Sequence, residues 1–200
     1  MRLASKIFLT SALVIVVLAG AAILSLRAVG RLASVNREIT TQTVPALRLA
    51  AGAREAIAPL TRLEARALVL RDARYVTLWG ERAAQVARDL ERLGEYATTA
   101  LEAARLGEAR EAFEGYRSVV AREWEFVGHG DVRRALLLAD TDALTLSGRV
   151  ESSLDDLMNA THARALAAQA EAAHLEARTW TAVLVALGAA VGLALLATGL

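Results

Sequence analysis

The chain of 200 residues lacks cysteine and has only two prolines and three residues each of Trp, Tyr and Phe. Without cysteine there can be no disulfide, no thiolate nucleophile and no thiolate metal ligand. The shortage of aromatic residues and proline is unlike a β-sandwich or barrel, whereas the abundance of Ala, Leu, Glu and Arg favours helix. The composition therefore predicts an all-α protein.

An excess of charge of one sign is also missing. The formal net charge is +1, and the segment from Arg27 to Thr179 holds 21 basic and 22 acidic residues, hence a net charge of −1. This segment has neither the basic stripe of a nucleic-acid-binding protein nor a polyacidic tail. We therefore expect no nucleic-acid partner.

Two long uncharged runs lie at the ends of the chain. Ile7–Leu26 contains twenty residues without a charge, which as a helix would span about 30 Å, the thickness of the hydrocarbon core of a bilayer. Trp180–Leu200 contains 21 more, with Trp180 placed as an interfacial anchor. Gly188 and Gly192 form a G-x-x-x-G pair that permits close packing of helices in lipid, or else reflect ordinary small-residue usage. The runs predict two transmembrane helices.

The basic start of the chain, at Arg2 and Lys6, fits either a signal anchor or a signal peptide cleaved at the small residues 19–21. The apolar run continues past that site to Leu26, which favours an uncleaved anchor. Further chain is expected after Leu200. The predicted parts are a cytoplasmic N-terminus with the first span (1–26), an extracytoplasmic domain (27–179) and a second span (180–200).

A heptad stripe continues directly from the first span, with the alternating steps of three and four that are typical of a helix packed on partner helices. Pro45 and Pro59 fall on one side of it without shifting the phase, which predicts one long helix bent twice. The alternative is a set of shorter helices, one of them beginning at Thr43. Gln42, the polar member of the stripe, either sets the register or faces water. The stripe consists of Leu32, Val35, Ile39, Gln42, Ala46, Leu49, Ala53, Ala56, Leu60, Leu63, Ala67 and Leu70.

Similar stripes predict three further helices. Asp72 is the expected N-cap of the second helix, which returns antiparallel because its connection to the first is short. The last helix enters the second span without Gly or Pro. The expected fold is a membrane-anchored up-down four-helix bundle whose first and last helices are continuous with two transmembrane helices. The stripes are Val76, Trp79, Ala83, Val86, Leu90, Leu93 and Ala97; Leu106, Ala109, Phe113, Tyr116, Val120, Trp124 and Val127; and Leu154, Met158, Thr161, Ala165, Ala168, Ala172 and Leu175.

The turns between these helices are marked by glycines and caps. Residues 128–131 (GHGD) predict a tight turn with Asp as cap, followed by a short helix over 132–139 and a kink or new cap at 140–142. The turn before the third helix lies between residues 94 and 108. The capping-box pair Thr99 and Glu102 would begin the helix there, whereas the heptad phase places the turn near Gly107.

This order of elements resembles the sensory input region of bacterial methyl-accepting chemotaxis proteins and of related sensor histidine kinases. The local likenesses are the segments 44–47 (VPAL), 72–79 (DARYVTLW) and 130–137 (GDVRRALL). The resemblance covers the whole chain and is architectural. It implies a multi-pass protein of the bacterial inner membrane, with residues 27–179 in the periplasm. The linker and the output region that follow the second span in that family are not among these residues.

The resemblance also implies a receptor input module. Such a module senses a small molecule or a periplasmic protein and acts on cytoplasmic signalling partners through a downstream region. A homodimer is expected, because the stripe near the membrane lacks a partner within one chain. The alternative function is a membrane-anchored helical scaffold or adaptor without a ligand.

Some members of that family clasp an amino-acid carboxylate with arginines of the first helix, across the dimer interface. The candidates here lie in a similar part of the helix, although no motif matches and a solvated helix face is the simpler explanation. The ligand-binding residues are therefore unknown, and the candidates are Arg62, Arg66, Arg71 and Arg74.

Motifs for catalysis or metal binding were not found. Glu171 and His174 match the E-x-x-H of di-iron bundles, but that site needs a second copy, and His162 is preceded at the required distance by Asn159. A nucleophile elbow, a phosphate-binding loop and the H-E-x-x-H zinc motif are also lacking. We therefore expect neither an enzyme nor a cofactor.

Overall fold

The computed structural model describes the backbone of residues 3–199 and the side chains of residues 12, 15–175, 177–189, 191 and 192. Every regular element in this part of the chain is helical, so the all-α prediction is confirmed. Breaks at 71–72, 94–99 and 129–131 separate four helical runs. The elements are α1 (Leu3–Glu38), a first π-helical segment (Ile39–Thr43), α2 (Val44–Leu70), α3 (Ala73–Leu93), α4 (Ala100–Gly128), α5 (Val132–Leu138), a second π-helical segment (Ala139–Ala143) and α6 (Leu144–Gly199).

The first π-helical segment lies just before Pro45, where a break was the alternative expectation. Thr43 keeps right-handed helical angles (φ −65°, ψ −49°), and Pro45 lies in the first turn of α2. Proline lacks an N–H, and its ring clashes with the carbonyl four residues earlier, so the wider π turn accommodates it. Pro59 lies inside α2 without ending it. The continuous first helix is therefore confirmed, and Ile15–Leu70 forms one helix of 56 residues.

The buried face of this helix differs from the heptad stripe beyond the π turn. Thr43 is buried, and the neighbouring Gln42 is exposed in the single chain, so a role for Gln42 in the register of a dimer stays a prediction. Ala50 and Ile57 are each 1% exposed although the stripe omitted them, whereas Leu70 is exposed. A helix in a globular core buries a wider stripe than a coiled-coil seam does, and this explains the extra buried positions.

Side-chain caps set the helix starts. The Thr99 hydroxyl accepts the N–H of Glu102 (3.2 Å), and the Glu102 carboxylate accepts the N–H of Thr99 (3.0 Å), which completes a capping box. The α4 helix therefore begins at Ala100, and the turn expected from heptad phase near Gly107 is wrong. The reciprocal hydrogen bonds satisfy two otherwise unpaired N–H groups at the helix start.

The other two connections are short and were predicted correctly. Arg71 ends α2 in the left-handed conformation (φ 52°), and the Asp72 carboxylate accepts the N–H of Arg74 at 2.9 Å to begin α3. Gly130 has a φ of 82°, a value that glycine adopts without strain, and Asp131 caps α5.

The chain divides into two compact units. One unit is Thr40–Arg164, here called the core unit, and the other combines Met1–Ile39 with Ala165–Leu200. In the core unit, side chains of α2, α3, α4 and α6 form one apolar cluster. At its centre the Trp79 ring packs edge-on against Trp124 (5.1 Å between centroids) and Tyr116 (5.8 Å). The predicted stripe positions that are fully buried in α3 and α4 are Trp79, Ala83, Val86, Leu90, Leu93, Leu106, Ala109, Phe113, Tyr116 and Val120.

The second unit exposes large apolar side chains. An 18-residue window in the helix Ile15–Leu70 has a mean hydropathy of 1.9, and none of it is buried. Within the described residues this is the one helix that is long and apolar enough to cross a membrane, by length and composition. The second predicted span falls in α6, where the side chains at 190 and 193–200 lie outside the described residues.

Candidate functional site

The four arginines proposed as ligand candidates are all exposed. Arg62 and Arg66 lie on the outer face of α2, and Arg71 forms its left-handed end. The Arg74 guanidinium donates to both oxygens of the Asp72 carboxylate at 2.7 to 3.2 Å. This contact holds the pKa of Asp72 below its usual value. A role for these arginines in ligand contact stays a prediction.

Gly188 and Gly192 lie in α6, and a Cβ placed on either would meet no described atom within 4 Å. Their proposed packing concerns a neighbouring transmembrane helix and also stays a prediction.

The strongest chemical feature of the core unit is a pair of buried carboxyl groups that the sequence analysis missed. Glu64 of α2 is 5% exposed and Glu123 of α4 is 0% exposed. The Tyr116 hydroxyl donates to Glu64 Oε2 at 2.5 Å. Glu64 follows the buried Ile57 by seven residues, and Glu123 follows the buried Tyr116 by seven, so each carboxyl projects from the buried face of its helix.

Several polar atoms of this cluster have no hydrogen-bond partner in the described part of the chain. They are both carboxylate oxygens of Glu123 and the indole N–H group of Trp124. The large majority of buried side-chain polar atoms in proteins are paired. Three unpaired atoms around one aromatic cluster are therefore unusual, and they distinguish this region from an ordinary helical core.

Burial changes the acidity of the cluster. Burial raises the pKa of Glu64 to about 7, and the hydrogen bond from Tyr116 offsets part of that effect. Burial and then the charge of Glu64 raise the pKa of Glu123 to about 8. The pKa of the Tyr116 hydroxyl is also raised, by burial and then by Glu64. Both carboxyl groups therefore change charge near neutral pH, and the charge on one opposes the charge on the other.

A groove opens beside Glu64 on the surface of the core unit. Its volume is about 180 Å³, and it lies between α2, α5, the second π-helical segment and the start of α6. The walls are largely aliphatic, with three polar residues, Thr61, Glu64 and Asp140, among the lining. Single π turns inside α-helices occur frequently at functional sites. Glu64 thus connects the buried cluster with a solvent-accessible groove.

A third buried carboxylate, that of Glu102, has a different environment. Glu102 Oε2 accepts the N–H groups of Thr98 and Thr99 (3.0 Å each), and Oε1 accepts from Arg164 Nε (2.9 Å). Burial raises the pKa of Glu102, but these backbone hydrogen bonds and Arg164 outweigh it and leave the pKa below its usual value. Glu102 is therefore a structural ion pair between α4 and α6, whereas Glu64 and Glu123 lack such compensation.

The sequence did carry a signal for Glu64 and Glu123. Charged residues are almost never fully buried unless they are paired, so neither glutamate was singled out from the sequence. Each nevertheless stands four residues after a buried apolar residue, Leu60 and Val119 respectively. The buried stripe of a helix in a globular core is wider than a coiled-coil seam, and the position of both carboxyls within it was the available indication that they are buried.

Metal binding has no structural basis in the part of the chain that the structure describes, since no group of three His, Asp or Glu side chains there could hold an ion. Comparison of the chain with protein-family models, with curated proteins and with solved structures found no match. The functional argument therefore depends on the chain's own residues.

Proposed function

We propose that this chain is the sensory input module of a membrane receptor, similar to those of bacterial chemoreceptors and sensor histidine kinases. In this proposal residues 27–179 form an up-down four-helix bundle outside the cytoplasm, between two transmembrane helices. A ligand bound to the bundle displaces the last helix, and the displacement passes through the second span to an output region. The helical class and the one apolar helix long enough to span a membrane support this proposal.

The observation that carries the proposal is the length of α6. This helix runs from Leu144 to Gly199 without a break. It begins among buried core residues such as Val150 and Leu154, and it includes the uncharged run that starts at Trp180. Packed helices are stiff and their interfaces tend to be bistable, so an unbroken helix can transmit a small shift or rotation.

The chemistry of the core unit supports the sensing role rather than the scaffold role. Two uncompensated carboxyls in the core would only weaken a structural scaffold, because burying a charge without a partner is destabilising. Residues that weaken the fold are expected where a protein binds a ligand or changes conformation.

The coupling can be tested in a fusion of residues 1–200 with the output region of a chemoreceptor or a sensor kinase. Inserting two alanines after Ala168 rotates the rest of α6 by about 200° relative to the core, since each residue turns the helix by about 100°. We expect this insertion to lock the output high or low. Inserting seven alanines is the matched control, because it rotates the helix by nearly two whole turns and should preserve regulation.

The output of the fusion would be measured in cells as kinase activity or reporter expression. Normal regulated output from the two-residue insertion would overturn the proposed coupling. Equal loss of regulation from both insertions would also count against it, because the effect would then not depend on helical phase.

A further inference from the structure

The groove beside Glu64 has an acidic character. Its ionisable lining residues are Glu64, in the wall toward the core, and Asp140, which is exposed on the second π-helical segment. The rest of the lining is Thr61 and aliphatic side chains, among them Leu68, Leu136 and Leu144. An apolar groove with carboxyl groups and no basic lining residue is complementary to a cation that has an apolar body.

Glu64 lacks a cationic partner among the described residues. Its hydrogen-bond partner is the neutral hydroxyl of Tyr116, which donates to Oε2. A buried carboxylate is destabilising unless an opposite charge compensates it. The contrast with Glu102, which is compensated by Arg164, shows that this protein pairs a buried carboxylate elsewhere in the same unit. An ammonium group entering the groove would supply the missing charge at Glu64.

The size and walls of the groove select among cations. A metal ion that gave up its water would require several oxygen ligands from the protein, and the groove offers few beside its aliphatic walls. A short alkyl chain fits walls of this kind, since removing apolar surface from water is favourable. Leu136 and Leu144 are 42% and 65% exposed, so a ligand lying against them would cover apolar surface that now faces solvent.

We propose that the groove between α2, α5 and the second π-helical segment is a binding site for a small aliphatic amine, with the ammonium group on the Glu64 carboxylate and the alkyl chain against Leu68, Leu136 and Leu144. Asp140 is the second carboxylate available to the same cation. The amine site stands by itself as a binding site, and the statement that the amine is the sensed signal rests on the proposed receptor function.

The site makes binding depend on pH. An ammonium ion favours the ionised form of Glu64, whose pKa is raised to about 7 by burial. Tyr116 and Glu123 of α4 and Asp140 of the π segment are the other titratable groups beside it. The affinity is therefore expected to increase as pH rises from 6 to 8, while the amine, with a pKa of about 10, stays protonated.

The test is titration calorimetry of the full chain in lipid nanodiscs, with n-butylammonium as the probe. Butyrate and n-butanol serve as anionic and neutral controls of the same chain length. We expect saturable binding of butylammonium alone, about tenfold tighter at pH 8 than at pH 6. Absence of saturable binding, or equal binding of butanol or butyrate, would overturn the proposal.

Two variants locate the site. Glu64→Gln should weaken butylammonium binding at least tenfold and remove its pH dependence. Leu136→Phe should obstruct the groove without altering a buried residue, and Leu137→Phe, at the neighbouring exposed position, is the matched control that should bind normally. Unchanged binding in either Glu64→Gln or Leu136→Phe would place the amine elsewhere and overturn the assignment, so one stable variant is enough for the test.

The same probe separates the two proposals. If butylammonium binds as described but does not change the output of the receptor fusion, the amine site stands and its role as the sensed signal fails. If the fusion is regulated but purified protein does not bind butylammonium, the amine site fails and the receptor function stands.

Discussion

Among the described residues, Glu64 and Glu123 are buried carboxyl groups whose pKa values are raised far above the ordinary value. Both are buried in a core of aromatic and aliphatic side chains, and Glu123 has neither oxygen paired with a described group. Their protonated forms suit this environment, and their ionised forms do not. The core unit is therefore expected to weaken as these groups lose their protons.

We predict that the free energy of unfolding decreases as pH rises from about 5 to about 8. The folded state holds both protons more tightly than the unfolded state, because the pKa values are about 7 and about 8 when folded and 4.5 ordinarily. The stabilisation is complete below about pH 4.5 and is lost as pH passes the folded values. For Glu64 alone it amounts to about 3 kcal/mol, at about 1.4 kcal/mol per tenfold change. Denaturant titrations of the full chain across this pH range measure it.

The matched variants are Glu123→Met and Glu125→Met. Methionine at 123 removes a buried charge and should both flatten the pH dependence and raise stability at pH 8. Glu125 is exposed on the same helix, so its replacement should leave the curve unchanged. Parallel curves for Glu123→Met and the unaltered protein would show that this carboxyl does not titrate in the core.

The buried carboxyls also mark the limit of what residue patterns could predict. Trp79, Tyr116 and Leu154 were placed on buried stripes correctly, because apolar residues at helical spacing have one favourable location. A glutamate at a similar spacing has two favourable locations, in water or in the core. Choosing between them requires the neighbouring helices, since it was Tyr116 on α4 that supplied a partner for Glu64 on α2.

At the scale of helices, local capping chemistry decided the boundaries and long-range packing decided the register. The Thr99 capping box defined the start of α4 although heptad phase suggested a later turn. The wide turn at Ile39–Thr43 could not be predicted from the stripe, because the residues around it fit a regular heptad equally well. Its cause is Pro45, whose effect depends on hydrogen-bond geometry rather than on hydrophobicity.

One contact between α3 and α4 can be tested directly by measuring stability. Arg110 of α4 donates to the carbonyl of Leu90 (2.8 and 3.2 Å) and to that of Glu91 (3.1 Å), at the end of α3. A Cβ on Gly94 would lie 2.8 Å from the same guanidinium, so glycine leaves the room it needs. The arginine thus pairs carbonyls that a helix end leaves unsatisfied.

We predict that Arg110→Met lowers the free energy of unfolding by about 2 kcal/mol, since hydrogen bonds from a charged donor contribute about 1.5–3 kcal/mol. Arg117→Met is the control. Arg117 lies on the same helix and pairs with Glu114 at 2.7 Å on the exposed surface, where such pairs contribute about 0–1 kcal/mol. Denaturant titration compares the two variants, and equal losses would mean that the Arg110 bonds do not cap α3.

For the whole molecule, the structure has the expected helical architecture, whereas the expected assembly remains a proposal. The helical class and the continuity of the first and last helices followed from periodicity, and the structure has both. A two-fold stalk and two membrane crossings are properties of the chain in its surroundings, with a partner and lipid, so they stay proposals. Leu32, on the stripe expected to meet a partner, is 53% exposed in the single chain.

The homodimer can be tested by oxidative crosslinking, which the absence of cysteine makes simple. We predict that Leu32→Cys in membranes gives a disulfide-linked dimer on non-reducing gels. Ser34→Cys should not, because position 34 lies about 200° away around the helix. A dimer from both positions would indicate random collision, and a dimer from neither would exclude the two-fold seam at this level.

The second π-helical segment, Ala139–Ala143, has no proline that requires it. A single-residue insertion into an α-helix is absorbed in such a wide turn, so the helix here contains a spare residue. Deleting Thr141 should restore regular α-helical hydrogen bonding while the helix on either side keeps its orientation. We expect the melting temperature of this shortened chain to lie within a few degrees of the original. Deleting Ser152, in the regular part of α6, should instead rotate one part of the apolar face of that helix away from the core and remove most of the stability. If the chain tolerates a change of length at this turn, the wall of the groove beside Glu64 can change in sequence and length while the rest of the core unit keeps its fold.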